Sequence, residues 1–86
     1  MKQTVIKLQN TCIAEPSQWH GTTNKKEHIY IRYRNGRLQF GIDKNYFDAV
    51  GNRKDVPYVS TNDDFISKND MMTALSPYLE FQLIEE

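Results

Sequence analysis

Between residues 28 and 43 apolar and polar positions alternate on both sides of an Asn-Gly pair, in the string HIYIRYRNGRLQFGID. Asn-Gly supplies the positive-φ residues of a type I′ turn, whose twist matches that of paired antiparallel strands. Folding the string at Asn35-Gly36 sets Arg34 opposite Arg37, Tyr33 opposite Leu38, Ile31 opposite Phe40 and Ile29 opposite Ile42. The apolar pairs share one face. The other face pairs Arg32 with Gln39, Tyr30 with Gly41 and His28 with Asp43. A slip of one residue would carry every side chain to the wrong face, so the register is strongly specified. Tyr30 opposite Gly41 reads as an aromatic ring covering a cross-strand glycine.

The pattern elsewhere is weaker. TVIKLQ, residues 4–9, has high β propensity. Ile6, Leu8, Cys12 and Ala14 occupy even positions, which predicts a strand running to about residue 14 with these four facing inward. Pro16 ends it. Residues 15–26, EPSQWHGTTNKK, are polar and rich in turn formers, and they read as a loop from which Trp19 folds back over the core edge. DKNYFDAVG, residues 43–51, predicts a short helix capped by Asp43 or Asn45, with Tyr46, Phe47 and Val50 at helical spacing and Gly51 at C′. VPYVS, residues 56–60, reads as an edge strand, because Pro57 cannot donate to a central ladder. A second helix is expected over 68–76, capped by Ser67 with Asp70 in its first turn, burying Met71 or Met72 with Leu75 and stopped by Pro77. The C-terminal YLEFQLIEE alternates Leu79, Phe81 and Leu83 with Tyr78, Glu80 and Gln82, as a half-buried strand does. Its acidic outer positions would complement the basic hairpin if the two are neighbours.

These elements amount to a small single α+β domain over residues 1–86, with an antiparallel sheet of four to five strands and one or two short helices packed on one face. Composition sharpens this only a little. At 86 residues the chain buries roughly 60–65% of its unfolded surface, so the core is small and a deep enclosed catalytic pocket is not expected. Apolar content of 38% with 26% charged residues fits a folded chain. No long apolar run or leader-like N-terminus occurs, so neither a membrane span nor a signal peptide is expected. The single cysteine, Cys12, allows no intrachain disulfide and fits a cytoplasmic location.

The formal charge is zero but unevenly placed. Residues 1–62 carry ten Lys and Arg against five Asp and Glu, and residues 63–86 carry one Lys against six acids. Lys25, Lys26, Arg32, Arg34 and Arg37 crowd the region around the hairpin. The simplest consequence is that the two regions neutralise each other within one molecule.

Candidate chemistry is sparse. The metal-ligating types are Cys12, His20 and His28 with scattered carboxylates, short of a closed zinc site, so no metal or cofactor is expected. NDDFISKND lacks the glycine and spacing of a calcium loop. Phosphate-cradling glycine motifs and a nucleophile elbow are absent, and Cys12 reads as a small buried thiol, so no catalytic residue is assigned and the chain is not expected to be an enzyme. The string WHGTT, residues 19–23, resembles the His-Gly-Thr signature of ADP-ribosyltransferases of the poly-ADP-ribose polymerase type, where the His and Gly hold the nicotinamide amide. That family implies His20 as the residue to test. It also requires a longer domain, a further tyrosine-bearing strand and a catalytic glutamate, and the match reads as coincidence.

Binding remains. Tyr30, Arg32, Arg34, Arg37 and Gln39 form the expected binding set on the hairpin's polar face. Arginine and tyrosine are enriched at protein-interface hot spots, and the leading expectation is a small stand-alone protein-binding module. A short cofactor-free domain of this kind suits a phage or mobile-element inhibitor or regulator that occludes the surface of a host protein. The alternative is nucleic-acid binding, with arginines on phosphates and Tyr30 stacked on bases. A pI of about 6.7 argues against it. A homodimer joining the basic hairpin to the acidic C-terminal region is a further expectation.

Overall fold

The hairpin register found in the structure is the one the alternation dictates. In this computed structural model, which describes residues 3–12, 17–34, 36–58 and 66–83, β3 (His28–Arg34) pairs with β4 (Arg37–Asp43) at every position from His28↔Asp43 to Arg34↔Arg37. Gly36 has φ 74°, the left-handed conformation the turn requires. Ile29, Ile31, Tyr33 and Leu38 are all buried on one face.

Around this hairpin the sheet is larger than expected. Among the described residues six strands lie in the order β5-β4-β3-β2-β1-β6, with β1 at Gln3–Cys12, β2 at Ser17–Thr23, β5 at Lys54–Val56 and β6 at Leu79–Phe81. β1 to β5 form an antiparallel meander. β6 then lies parallel to β1, so the sheet is mixed rather than antiparallel. The segment expected to be a loop supplies β2. Its Trp19 pairs across from Ile31 and is buried in the core as a strand residue. Turn-forming composition misreads this strand because its neighbours, β1 and β3, supply its hydrogen bonds from both sides. The expected 56–60 strand is instead the edge strand Lys54–Val56, and residues 59–60 lie outside the described ones.

β1 departs from strict alternation. Its register with β2 shifts between Val5 and Lys7 and again between Asn10 and Cys12. The first irregularity flips the parity, so Val5 is fully buried while Ile6, expected inward, is only half-buried. Such extra residues bend a strand and increase its twist, which curls β1 over the core. The curl brings backbone onto backbone: a Cβ on Gly21 of β2 would lie 2.0 Å from the Lys7 carbonyl oxygen. The side chain of Cys12 lies outside the described ones.

The helices lie on opposite faces, not on one. α2 (Lys68–Leu75) begins at Ser67, whose Oγ accepts the Asp70 N–H at 3.1 Å, as the capping pattern predicts. Met71 and Leu75 are buried in the core with Ile29, Ile31, Tyr33, Leu38 and Val5. The crossover through α2 is what allows β6 to return parallel beside β1. α1 (Tyr46–Gly51) packs on the other face of β3 and β4, the side bearing Tyr30 and Gly41. Asn45 caps it, with Oδ1 accepting the N–H groups of Phe47 at 2.8 Å and Asp48 at 3.4 Å. Of the residues at helical spacing, Tyr46 and Val50 are half-buried and Phe47 is 80% exposed, while Ala49 is the fully buried residue. Gly51 is the last helical residue rather than C′, and the C-cap is Asn52 with φ −90°.

The glycines give a test of this packing. A Cβ on Gly41 would meet the Ala49 carbonyl oxygen at 2.0 Å, whereas one on Gly51 would meet nothing within 4 Å. Gly41→Ala is expected to destabilise the protein by about 1–3 kcal/mol through overpacking. Gly51→Ala is expected to stabilise it by about 0.4–1 kcal/mol by restricting the unfolded chain. Urea unfolding of the two variants checks both signs.

Candidate functional site

The face of the sheet beneath α1 is polar, and its side chains fall in rows set by strand register. One row runs Gln9, His20, Tyr30, Gly41 and the next runs Lys7, Thr22, His28, Asp43. Toward the hairpin turn come Gln18, Arg32, Gln39 and Asp55, and then Arg34 beside Arg37. α1 lies over Gly41 and divides this face into an arginine end and a histidine end.

At the arginine end Arg32, Arg34, Arg37, Gln39 and Arg53 line one open depression of about 280 Å³. Four of the five expected binding residues are thus brought together. Like charges placed directly across a strand pair, as Arg34 and Arg37 are, repel. Asp55 on the edge strand offsets part of this: its carboxylate accepts from Arg37 Nη2 at 2.8 Å and from Gln39 Nε2 at 2.7 Å. The Gln39 amide, followed by the Arg37 guanidinium, holds the Asp55 carboxyl below its ordinary range. Gln39 Oε1 in turn accepts from Arg53 Nε at 3.2 Å. Arg32 Nε is enclosed and has no hydrogen-bond partner among the described residues.

Arg53 was not legible as a site residue. It follows α1 in the chain, donates to the Val50 carbonyl at 2.8 Å, and places its guanidinium carbon 5.8 Å from the centroid of the Tyr30 ring. Its only signal in the sequence is a cation just past a short helix, where it interacts favourably with the last carbonyls.

The fifth expected residue, Tyr30, stands apart. It is 5% exposed, covered by α1 rather than displayed. Nor does its ring cover Gly41, since the Ala49 carbonyl takes that space. Tyr30 acts as a packing residue between the two ends. Glu80 of β6 is not placed beside the hairpin's strands either, and residues 84–86 lie outside the described ones. β6 lies at the opposite edge of the sheet, and Asp55 of β5 fills the role expected of it.

At the histidine end, His20 Nε2 and His28 Nδ1 are 3.0 Å apart, one nitrogen donating to the other. The ring centroids are 5.2 Å apart and the planes differ by 22°. Tyr46 of α1 packs against His20 with centroids 4.4 Å apart. On the β1 side the pair borders an open cavity of about 490 Å³ lined by Lys7, Gln9, Thr22 and the histidines themselves. His20 thus lies on a strand, not in a loop. Burial, and then the neighbouring His28, lower its pKa from the ordinary 6.5. Among the described residues no group of three or more His, Cys, Asp or Glu is placed to hold a metal ion. Nor is any helix of the described residues long and apolar enough to cross a membrane.

Comparison with family models, with curated proteins and with solved structures finds no match. The functional reading therefore rests on the residues themselves.

The depressed His20 pKa has a thermodynamic consequence. Unfolded His20 binds its proton more tightly than folded His20, so acid favours the unfolded chain. Its contribution is fully present above about pH 6.5 and is lost as the pH falls below that value. Urea midpoints measured from pH 8 to pH 5 are expected to fall more steeply for the wild type than for His20→Gln.

Proposed function

We propose that this chain is a small binding module that docks on an acidic surface of a partner protein, the arginine depression receiving the partner's carboxylates. The observation that carries the reading is the convergence of Arg32, Arg34, Arg37, Gln39 and Arg53 on one open depression. A planar guanidinium presents parallel donors that match a carboxylate, and such pairs become strong once water is excluded. Asp55 acts as an internal stand-in for that carboxylate, already held by Arg37 and Gln39. A module of this kind acts by covering the surface it binds, as an inhibitor or regulator of a host protein.

The arginines suit phosphate as well as carboxylate, so nucleic acid is the competing ligand. That reading loses its stacking residue, because Tyr30 is buried under α1. A second copy offering its acidic C-terminal region is the remaining candidate, and it would give a dimer that dissociates as salt rises.

The deciding experiment is a pull-down from native host lysate after nuclease treatment, comparing wild type with Arg32→Ala/Arg34→Ala. The expected result is a protein that survives nuclease and is lost with the double variant. With that partner purified, the double variant should bind at least about 30-fold more weakly, as for hot-spot residues, and Asp55→Asn should bind more tightly by freeing Arg37. Loss of the signal on nuclease treatment would transfer the site to nucleic acid. Full retention by the double variant would place the interface elsewhere.

A further inference from the structure

The histidine end of the polar face is separate from the arginine depression and has no part in the docking reading. We propose that the open cavity beside His20 and His28 binds a small organic anion by its carboxylate or phosphate head group, and that the ligand enters together with one proton taken up by the histidine pair.

The lining sets the class of ligand. Lys7 and Gln9 of β1, His20 and Thr22 of β2 and His28 of β3 border an open cavity of about 490 Å³, a volume within the range of small-molecule sites. Strand register holds them on one face in two rows, Lys7 across from Thr22 across from His28, and Gln9 across from His20. All five side chains can donate a hydrogen bond, and among the described residues no carboxylate lines the cavity. A lining of donors with one lysine suits a ligand that brings negative oxygens.

The histidine pair supplies the second positive charge. His20 Nε2 and His28 Nδ1 are 3.0 Å apart, joined by one bridging proton. The far nitrogens are Nδ1 of His20 and Nε2 of His28. In the neutral pair one far nitrogen is protonated and the other is bare, because the ring that donates across the bridge has its proton there. A proton added to the bare nitrogen leaves the bridge intact and turns both far nitrogens into donors. A second proton would remove the acceptor of the bridge. The bonded pair therefore takes up one charge with no movement of the rings.

Burial and then His28 lower the His20 pKa, so the pair does not take that proton readily on its own. An anion beside the rings offsets this through its opposite charge. The neighbouring groups leave the cavity to the ligand. Tyr46 of α1 packs its ring against His20. Asp43, directly across from His28, opposes an anion, but its carboxylate is engaged at the two ends of α1: Oδ1 accepts the Asn45 N–H at 3.3 Å and Oδ2 accepts from Asn52 Nδ2 at 3.0 Å. Lys7, on the far strand, favours one.

The chain has two histidines, so every imidazole signal reports on this pair. The test is a proton NMR titration of the untagged full chain from pH 8 to pH 5.5 in sodium sulfate, in sodium acetate and in sodium chloride at equal ionic strength. Sulfate stands for a phosphate head group and acetate for a carboxylate. In at least one of the two, the pair should titrate at a pH higher by about 0.5 or more than in chloride, since an anion that binds with a proton must raise the proton affinity by the same factor. The salt giving the larger rise names the head group. Arg32→Ala/Arg34→Ala should keep the rise. His20→Gln and His28→Gln, each first shown to fold by its urea midpoint, should abolish it for the histidine that remains. Coincident wild-type titrations in all three salts would overturn the proposal. So would loss of the rise in the arginine double variant, which would assign the anion to the arginine depression, or its survival in both histidine variants.

Discussion

The bare backbone at Gly41 is the constraint on which the polar face depends. α1 has six residues, too few to persist as an isolated helix, so it exists by lying against the sheet. It can lie there only because position 41 carries no side chain: the Ala49 carbonyl occupies the space a Cβ would take. From that one contact the rest follows. The helix covers Tyr30, its first residue Tyr46 abuts His20, and the chain leaving it carries Arg53 back over the Tyr30 ring. Both candidate sites are therefore organised by the same short helix from its two ends.

The apolar core and the cluster of arginines lie on different faces of the sheet. On one face α2, β6 and the Trp19 ring close a core around Ile29, Ile31, Tyr33 and Leu38. Burial of such side chains contributes about 1.5–3 kcal/mol each. β1 completes that core by curling, which its register shifts produce and Gly21 permits. The other face holds charge that the fold does not fully compensate. Arg32, Arg34, Arg37 and Arg53 share one depression, and among the described residues Asp55 is the acid that pairs there. Uncompensated like charge raises the free energy of the folded state. Here it stands largely on a hairpin whose register fixes where Arg32, Arg34 and Arg37 lie.

Legibility varied with how local the cause was. The β3–β4 hairpin was readable to the residue, because alternation and the Asn-Gly turn both act within sixteen neighbouring positions. Helix α2 was readable through its Ser67 cap and the Met71–Leu75 stripe, again a local pattern. β2 was not. Gly21 and its polar neighbours resemble a loop in isolation, and only pairing with β1 and β3 on either side holds them extended. The most buried residue of α1, Ala49, was not legible, because six residues give too little periodicity to locate a face.

The same division holds for the candidate sites. By itself the sequence determined that Arg32 and Gln39 share the polar face and that Arg34 meets Arg37, since β register follows from alternation over a short loop. Tertiary structure alone decided that Tyr30 is buried, that Arg53 and Asp55 join the arginines, and that His20 meets His28. Those outcomes depend on which face a short helix covers and which strands become neighbours. Such choices are made by burying surface between segments distant in the chain, and no local pattern encodes them.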